Sequence, residues 1–217
     1  MAFMNLKFYS EALGMQTEVY VVIPQRSTAG EIGVETNAKA ERYKCLYLLH
    51  GLSDDHSIWL RRTSIERYAS EYGICVVMPA AARSFYTDMK YGQKYYTYIA
   101  KELPKIIREF LNVSDKREDN FVAGASMGGY GCMAVGLTYP ETFSKIASIA
   151  AAACYIICYF MCTERVKITE EAKSVSFKDT LKALAGIDLR VWPYPVDAQM
   201  IIDGIMELEA YNASMRS

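Results

Sequence analysis

Residues 119–131, DNFVAGASMGGYG, carry residue types at a spacing suited to covalent chemistry. An apolar strand, Phe121-Val122-Ala123, runs into Gly124-Ala125-Ser126-Met127-Gly128 and then into a helix start of small residues. A serine at the tip of so sharp a strand-to-helix turn is held in a strained backbone. Its neighbours two residues away on each side must be nearly free of side chain, or strand and helix collide. Gly128, Gly129 and Gly131 carry the same requirement into the helix. The N-terminal N–H groups of that helix point to where negative charge develops when a serine hydroxyl attacks a carbonyl. Taken alone, the pattern also fits a plain turn or a phosphate loop. The strand before it and the helix after it make it a G-x-S-x-G nucleophile elbow.

Such a serine needs two backbone donors for the developing oxyanion. One is the N–H of the residue after it, here Met127; the other comes from the loop after an earlier strand, often spelled H-G. The run YKCLYLL, residues 43–49, reads as a buried strand and ends in His50-Gly51-Leu52-Ser53-Asp54-Asp55, so the second expected donor is the N–H of Leu52. Read without the elbow, His50-Gly51 is an ordinary strand exit. An acid and then a histidine should follow the serine in chain order. This chain has only two histidines, His50 and His56, and both precede Ser126. His56 lies in the loop beside the expected oxyanion hole, and triads are defined by geometry rather than order, so it enters as a candidate base; its plainer reading is loop structure. Asp197 could stand in for the acid, with Asp179, Asp188 and Asp203 as alternatives. For each of them a surface or capping role is the simpler reading.

The elements that must position these residues alternate. Residues 3–10 and 15–24 interleave apolar and polar side chains, which predicts two antiparallel strands at a sheet edge, the second ended by Pro24. Residues 25–41 are polar and read as a loop. Residues 59–72 read as a loop leading into a helix, capped by Ser64 or Thr63 and stopped by Gly73. ICVVMP, residues 74–79, is another buried strand, so a strand-helix-strand unit in a parallel sheet is expected. The tyrosine-rich segment 83–96 either walls a pocket at a strand's carboxyl end or simply packs. Residues 97–111 keep helical spacing through Ile99, Leu103, Ile106, Ile107 and Phe110; Pro104 should kink that helix or mark a late start. A charged turn at 115–119 feeds the Ser126 strand, Pro140 ends the helix after it, and 145–153 reads as a further buried strand.

The bulk properties agree with one globular domain over residues 1–217, of which 151–217 are atypical. The chain is 52% hydrophobic, enough for a sizeable core, and its net charge of −1 and pI near 6.2 give no reason to expect a nucleic-acid or membrane partner. No secretory leader is read in MAFMNLKFYSEALG, and the six cysteines sit mostly in apolar runs, so free thiols, no metal and a cytoplasmic address are expected. The apolar run 146–162 approaches the ~17-residue lower limit of a membrane span, but it begins as a sheet strand. Cys154, Cys158 and Cys162 recur every four residues, which suits apolar packing better than metal ligation. Residues 176–184 form an amphipathic stretch closed by Gly186, and 197–211 keep helical spacing interrupted by Gly204.

HGLSDDHSIWLRRTSIERYA, MPAAARSFYTDMKYG, KELPKI and DNFVAGASMGGYGCMA together resemble the esterase D family of α/β-hydrolases, most of all its bacterial tributyrin and cinnamoyl (feruloyl) esterase-like branch. The resemblance covers about residues 3–150. It implies an α/β class, α/β-hydrolase fold: a mostly parallel central sheet with helices on both faces, incomplete at its C-terminal edge because 151–217 depart from the family pattern. A missing edge would expose apolar surface and favour a homo-oligomer. The resemblance further implies hydrolysis of small-molecule short-chain acyl or aryl carboxylic esters, or of S-formylglutathione as in a relative. No cofactor is implied, Ser126 falls on the nucleophile, and Leu52 and Met127 fall on the oxyanion donors. The alternative is a hydrolase scaffold that binds acyl or aromatic ligands without efficient turnover, because a serine hydroxyl is a weak nucleophile without a base.

Overall fold

The computed structural model describes residues 1–25 and 41–149. The expectations for the 25–41 loop beyond residue 25, the end of the 145–153 strand, Cys154, Cys158, Cys162, the 176–184 and 197–211 stretches and the candidate aspartates therefore lie outside the described residues.

Six described strands form one sheet in the order β1-β2-β4-β3-β5-β6. β1 (Ala2–Ser10) and β2 (Met15–Ile23) pair antiparallel, from Ala2 opposite Ile23 to Ser10 opposite Met15, as the alternation in the sequence requires. β2 also runs antiparallel to β4 (Ile74–Pro79), while β4, β3 (Lys44–Leu49), β5 (Asn120–Ala125) and β6 (Lys145–Ile149) are parallel. β3 and β4 are almost wholly buried, because helices cover both faces of the parallel part.

On one face α1 (Ile58–Arg62) and α2 (Ile65–Tyr72) pack Trp59, Ile65 and Ala69 onto Leu46, Leu48, Val76, Met78 and Phe121. The expected helix within 59–72 is α2, with Ser64 at its start, and the stretch expected to be a loop ahead of it forms the short α1. Thr63 closes α1, its hydroxyl bonding back to the Trp59 carbonyl, and Ser64 takes the N-cap position of α2 without a side-chain cap bond. Gly73 ends α2 in the left-handed conformation, φ 66°, as its type predicts.

On the other face lie α3 (Tyr95–Thr97), a π turn (Tyr98–Glu102), α4 (Leu103–Phe110) and α5 (Met127–Thr138). Tyr98, Leu103, Ile107, Met127, Cys132 and Val135 from these elements meet Cys45, Tyr47, Leu49 and Val77. The helical stretch begins at Tyr95 rather than at residue 97. Pro104 lacks an N–H, and its ring would collide with the carbonyl four residues back in a regular helix; the wider π turn ahead of it accommodates both defects. The Glu102 carboxylate at the end of that turn reaches the β1–β2 turn, accepting from the Ser10 hydroxyl (2.5 Å) and the N–H of Glu11 (2.7 Å).

The chain leaves β3 toward β4 on one side and later returns to β5 on the other. The loops after β3 and β5 therefore splay to opposite faces and leave a crevice between their carboxyl ends, the switch point at which open α/β sheets place their ligands. Leu49 pairs with Gly124 at that end, which puts residues 50–52 beside residues 125–127.

Candidate active site

Ser126 sits between β5 and α5 with φ 55° and ψ −117°, a conformation that costs a non-glycine residue about 1–3 kcal/mol. The sequence around it explains why the turn holds. A methyl at Gly124 would lie 2.5 Å from the Gly128 carbonyl, and one at Gly128 would lie 2.7 Å from the Leu49 carbonyl carbon. Strand and helix therefore meet backbone to backbone, which only glycine permits. The N–H of Ser126 donates to the Ile149 carbonyl of β6 (2.9 Å), so the serine is tied into the sheet by its own backbone.

That bond leaves the next N–H, of Met127, as the first of α5, where it has no intrahelical acceptor and stands at the positive end of the helix dipole. Across the crevice a methyl placed on Gly51 would be 3.8 Å from the Ser126 Cβ, so the 50–52 loop packs directly on the serine turn. Neither the Leu52 nor the Met127 N–H finds an acceptor among the described residues. All three residues singled out from the sequence therefore converge at one crevice.

The loop carrying Leu52 is held by several bonds. The Asp54 N–H donates to the Gly51 carbonyl (3.2 Å), and Asp55 accepts from the N–H (2.8 Å) and hydroxyl (2.5 Å) of Ser57, which holds the Asp55 carboxyl below its ordinary range. Trp59 donates its indole N–H to the Leu49 carbonyl (3.2 Å). His50 is buried beneath the loop. Its Nε2 accepts from the Ala81 N–H (3.1 Å), which assigns the proton to Nδ1, and Nδ1–H donates to the Gly51 carbonyl (2.7 Å). Burial outweighs that carbonyl and the Asp54 and Asp55 charges and lowers the imidazole's pKa, favouring the neutral ring.

Both histidines are thereby placed. Each ring nitrogen of His50 has a backbone partner. His56 packs edge-on against Tyr20 of β2, with centroids 4.4 Å apart, and its Nε2 lies 3.5 Å from Glu18 of the same strand. The candidate base is held by β2 as part of the loop's structure. Cys132, one turn into α5, donates to the Gly129 carbonyl (3.2 Å); burial pushes its thiol up to about 12, so it stays protonated under the elbow.

In the tyrosine-rich segment the packing reading holds for Tyr86. Tyr86 is fully buried packing, and the ring of Phe85 lies 6.4 Å from that of Tyr130, on the turn of α5 that follows Ser126, both rings being partly exposed. The sequence signal for them was only aromatic content; the pairing comes from the fold. Among the described residues no cluster of three or more His, Cys, Asp or Glu is placed to hold a metal ion, and no helix is long and apolar enough to cross a membrane.

The family model described as "Putative esterase" matches residues 10–180. An acetyl esterase of Caldicellulosiruptor saccharolyticus is 31% identical over 153 residues, which are 70% of this chain and 57% of that protein. The chain spans about half the length of the curated relatives it matches. Among solved structures, the fluorophosphonate-binding serine hydrolase FphF of Staphylococcus aureus is 34% identical with a TM-score of 0.63, covering 78% of this chain and 62% of that one. The S-formylglutathione hydrolase FrmB of the same organism is 28% identical with a TM-score of 0.72, covering 95% and 98%.

Proposed function

Since the chain belongs to the esterase family, we propose that Ser126 is the nucleophile of a serine carboxylesterase acting on small-molecule carboxylic esters. The observation that carries this reading is the strained Ser126 at the crevice between β3 and β5, with the N–H groups of Leu52 and Met127 beside it, neither of which has an acceptor among the described residues. In the reaction Ser126 Oγ forms a bond to the ester carbonyl carbon while a base takes its proton. The carbonyl oxygen becomes an oxyanion that accepts from the two N–H groups. The ester C–O bond then breaks, the proton goes to the departing alcohol, and water releases the acid from the acyl-serine by the same steps in reverse. The helix dipole of α5 and the low dielectric of the crevice strengthen those two bonds where the charge appears.

The Phe85–Tyr130 pair favours esters with a flat or short apolar acyl group, because exposed ring edges beside the serine turn would cover such a group at little entropic cost. A second reading, a scaffold that binds such esters with little turnover, is favoured by the two histidines. His50 is engaged at both nitrogens and His56 lies against β2. Even so, removal of a triad member leaves ~10³–10⁴-fold over water from the oxyanion hole and binding.

Hydrolysis of p-nitrophenyl acetate, butyrate and a cinnamate ester by the protein and by Ser126→Ala, from pH 5 to 9, separates the readings. Turnover abolished by Ser126→Ala, with a profile rising through one group near ~6.5, supports the esterase with a histidine base. Serine-dependent turnover that is slow and follows hydroxide concentration supports the second reading. Rates equal to those of Ser126→Ala refute both catalytic statements.

A further inference from the structure

Tyr86 has a place in the molecule that packing alone does not explain. It ends a loop in which Ala82 (φ 46°), Phe85 (φ 51°) and Tyr86 itself (φ 54°) all adopt left-handed backbone, although none is glycine. Each such residue stores strain on the order of 1–3 kcal/mol, and the surroundings must over-determine it. Those surroundings are the two halves of the candidate site. The Tyr86 hydroxyl donates to the His50 carbonyl (2.9 Å), on the peptide that opens the Leu52 loop. Its ring fills the notch at Gly131 of α5, where an added methyl would meet the ring 2.5 Å away. Its own N–H is held by the Ser84 hydroxyl (3.0 Å). Burial raises the phenol's pKa well above the ordinary value, so the hydroxyl remains a donor at every working pH.

We infer that Tyr86 is a positioning residue of the oxyanion hole: anchored against α5 through its ring, it fixes the His50 carbonyl and thereby the spacing between the Leu52 and Met127 N–H groups. Tyr86 acts through the His50 carbonyl and α5. It links the loop after β3 to the helix after β5, whose separation sets whether both donors reach one oxygen. The inference rests on the esterase reading of Ser126.

The test compares the protein with Tyr86→Phe, which keeps the ring and removes only the hydroxyl, and with Thr97→Ala, which loosens the far end of the same loop by removing the hydroxyl that donates to Asp88 (2.6 Å) and leaves the contacts of Tyr86 in place. Loss of a whole oxyanion donor costs about 10²–10³ in kcat, so a donor displaced rather than removed costs on the order of 10-fold. Tyr86→Phe is expected to lower kcat for p-nitrophenyl acetate about that much, with KM within twofold. It is also expected to weaken, by a similar factor, a trifluoromethyl ketone, which forms a tetrahedral oxyanion on the serine. Thr97→Ala is expected to lower Tm while keeping kcat.

An unchanged kcat in Tyr86→Phe, or an equal loss of kcat in Thr97→Ala, overturns the inference. If Tyr86→Phe does not fold, Gly131→Ala pushes the ring from the other side and must give the same fall in kcat at constant KM; an unchanged kcat there overturns the inference equally. Wild-type rates no higher than those of Ser126→Ala would instead remove the esterase reading, and this inference with it. Wild-type turnover with an unaffected Tyr86→Phe removes this inference alone.

Discussion

Gly128→Ala probes how the elbow is built. A methyl on residue 128 would stand 2.7 Å from the Leu49 carbonyl carbon, 2.8 Å from the His50 carbonyl oxygen and closer still to the Leu49 oxygen. These are backbone atoms at the end of a central strand held in register by β4 and β5, so no flexible side chain can give way. Non-bonded carbons sit about 3.5–4.0 Å apart, so α5 would have to retreat from β3 by roughly 1 Å. Overpacking of this kind costs about 1–3 kcal/mol, and backbone on both sides places this case at the upper end. At about 2–4 °C per kcal/mol for a chain of this length, Tm should fall by roughly 5–12 °C. The same retreat carries Ser126 and the Met127 N–H away from the Leu52 N–H, and a misplacement of about 1 Å is worth about 10²-fold in rate. Calorimetry gives the first quantity, and kcat on p-nitrophenyl acetate, well below the lower Tm, gives the second. Gly14→Ala is the control. Gly14 also has a positive φ, 66°, but nothing lies within 4 Å of an added methyl, so only the left-handed backbone is penalised, by about 1–2 kcal/mol, and kcat should not change. A Gly128→Ala protein with the Tm and kcat of the parent would refute the close-approach account.

Two further outcomes follow from the hydrogen bonds. The folded-state pKa of His50 is lowered by burial, so the unfolded chain takes up the proton first as pH falls through about 6.5. Its contribution to stability is complete above that pH and is lost as pH falls toward the depressed folded value; Asp55, also depressed, contributes its own loss only below the carboxylate range. Thermal scans between pH 7 and 5 should therefore show a falling Tm that is flatter in His50→Gln, and equal slopes would count against the buried neutral imidazole. Glu102→Ala strips the acceptor from the buried Ser10 hydroxyl and the Glu11 N–H. A bond to a charged group is worth about 1.5–3 kcal/mol, so loss of the part-buried Ser10 bond alone should drop Tm by about 3–12 °C with kcat unchanged, and an unmoved Tm would mean the carboxylate does not hold the β1–β2 turn.

By itself the sequence determined what depends on neighbours along the chain. The alternation of residues 3–10 and 15–24 became β1 and β2, the continuous apolar runs became β3 and β4, and Gly124-Ala125-Ser126-Met127-Gly128 became the turn its spacing describes. Strand period, glycine sterics and the position of the first free helix N–H are local properties, which is why Ser126 and Met127 stand out in the sequence, whereas Leu52 follows from the His50-Gly51 strand exit only in combination with the elbow. Element ends were less legible. The 59–72 segment divides at Thr63 because that hydroxyl bonds back to Trp59, and the 97–111 helix starts early because a π turn absorbs Pro104.

Only the tertiary structure decided what depends on residues distant in sequence. His56 carries no mark of being held by Glu18 and Tyr20, nor His50 of having both nitrogens taken by backbone. Tyr86 was one of several tyrosines in a polar segment until the sheet order brought the β3 exit and α5 to either side of it. Spacing along a strand or helix fixes which side chains share a face. Which faces meet is fixed by the crossovers between β3, β4 and β5, and those follow from burial summed over the whole sheet rather than from any one stretch of the chain.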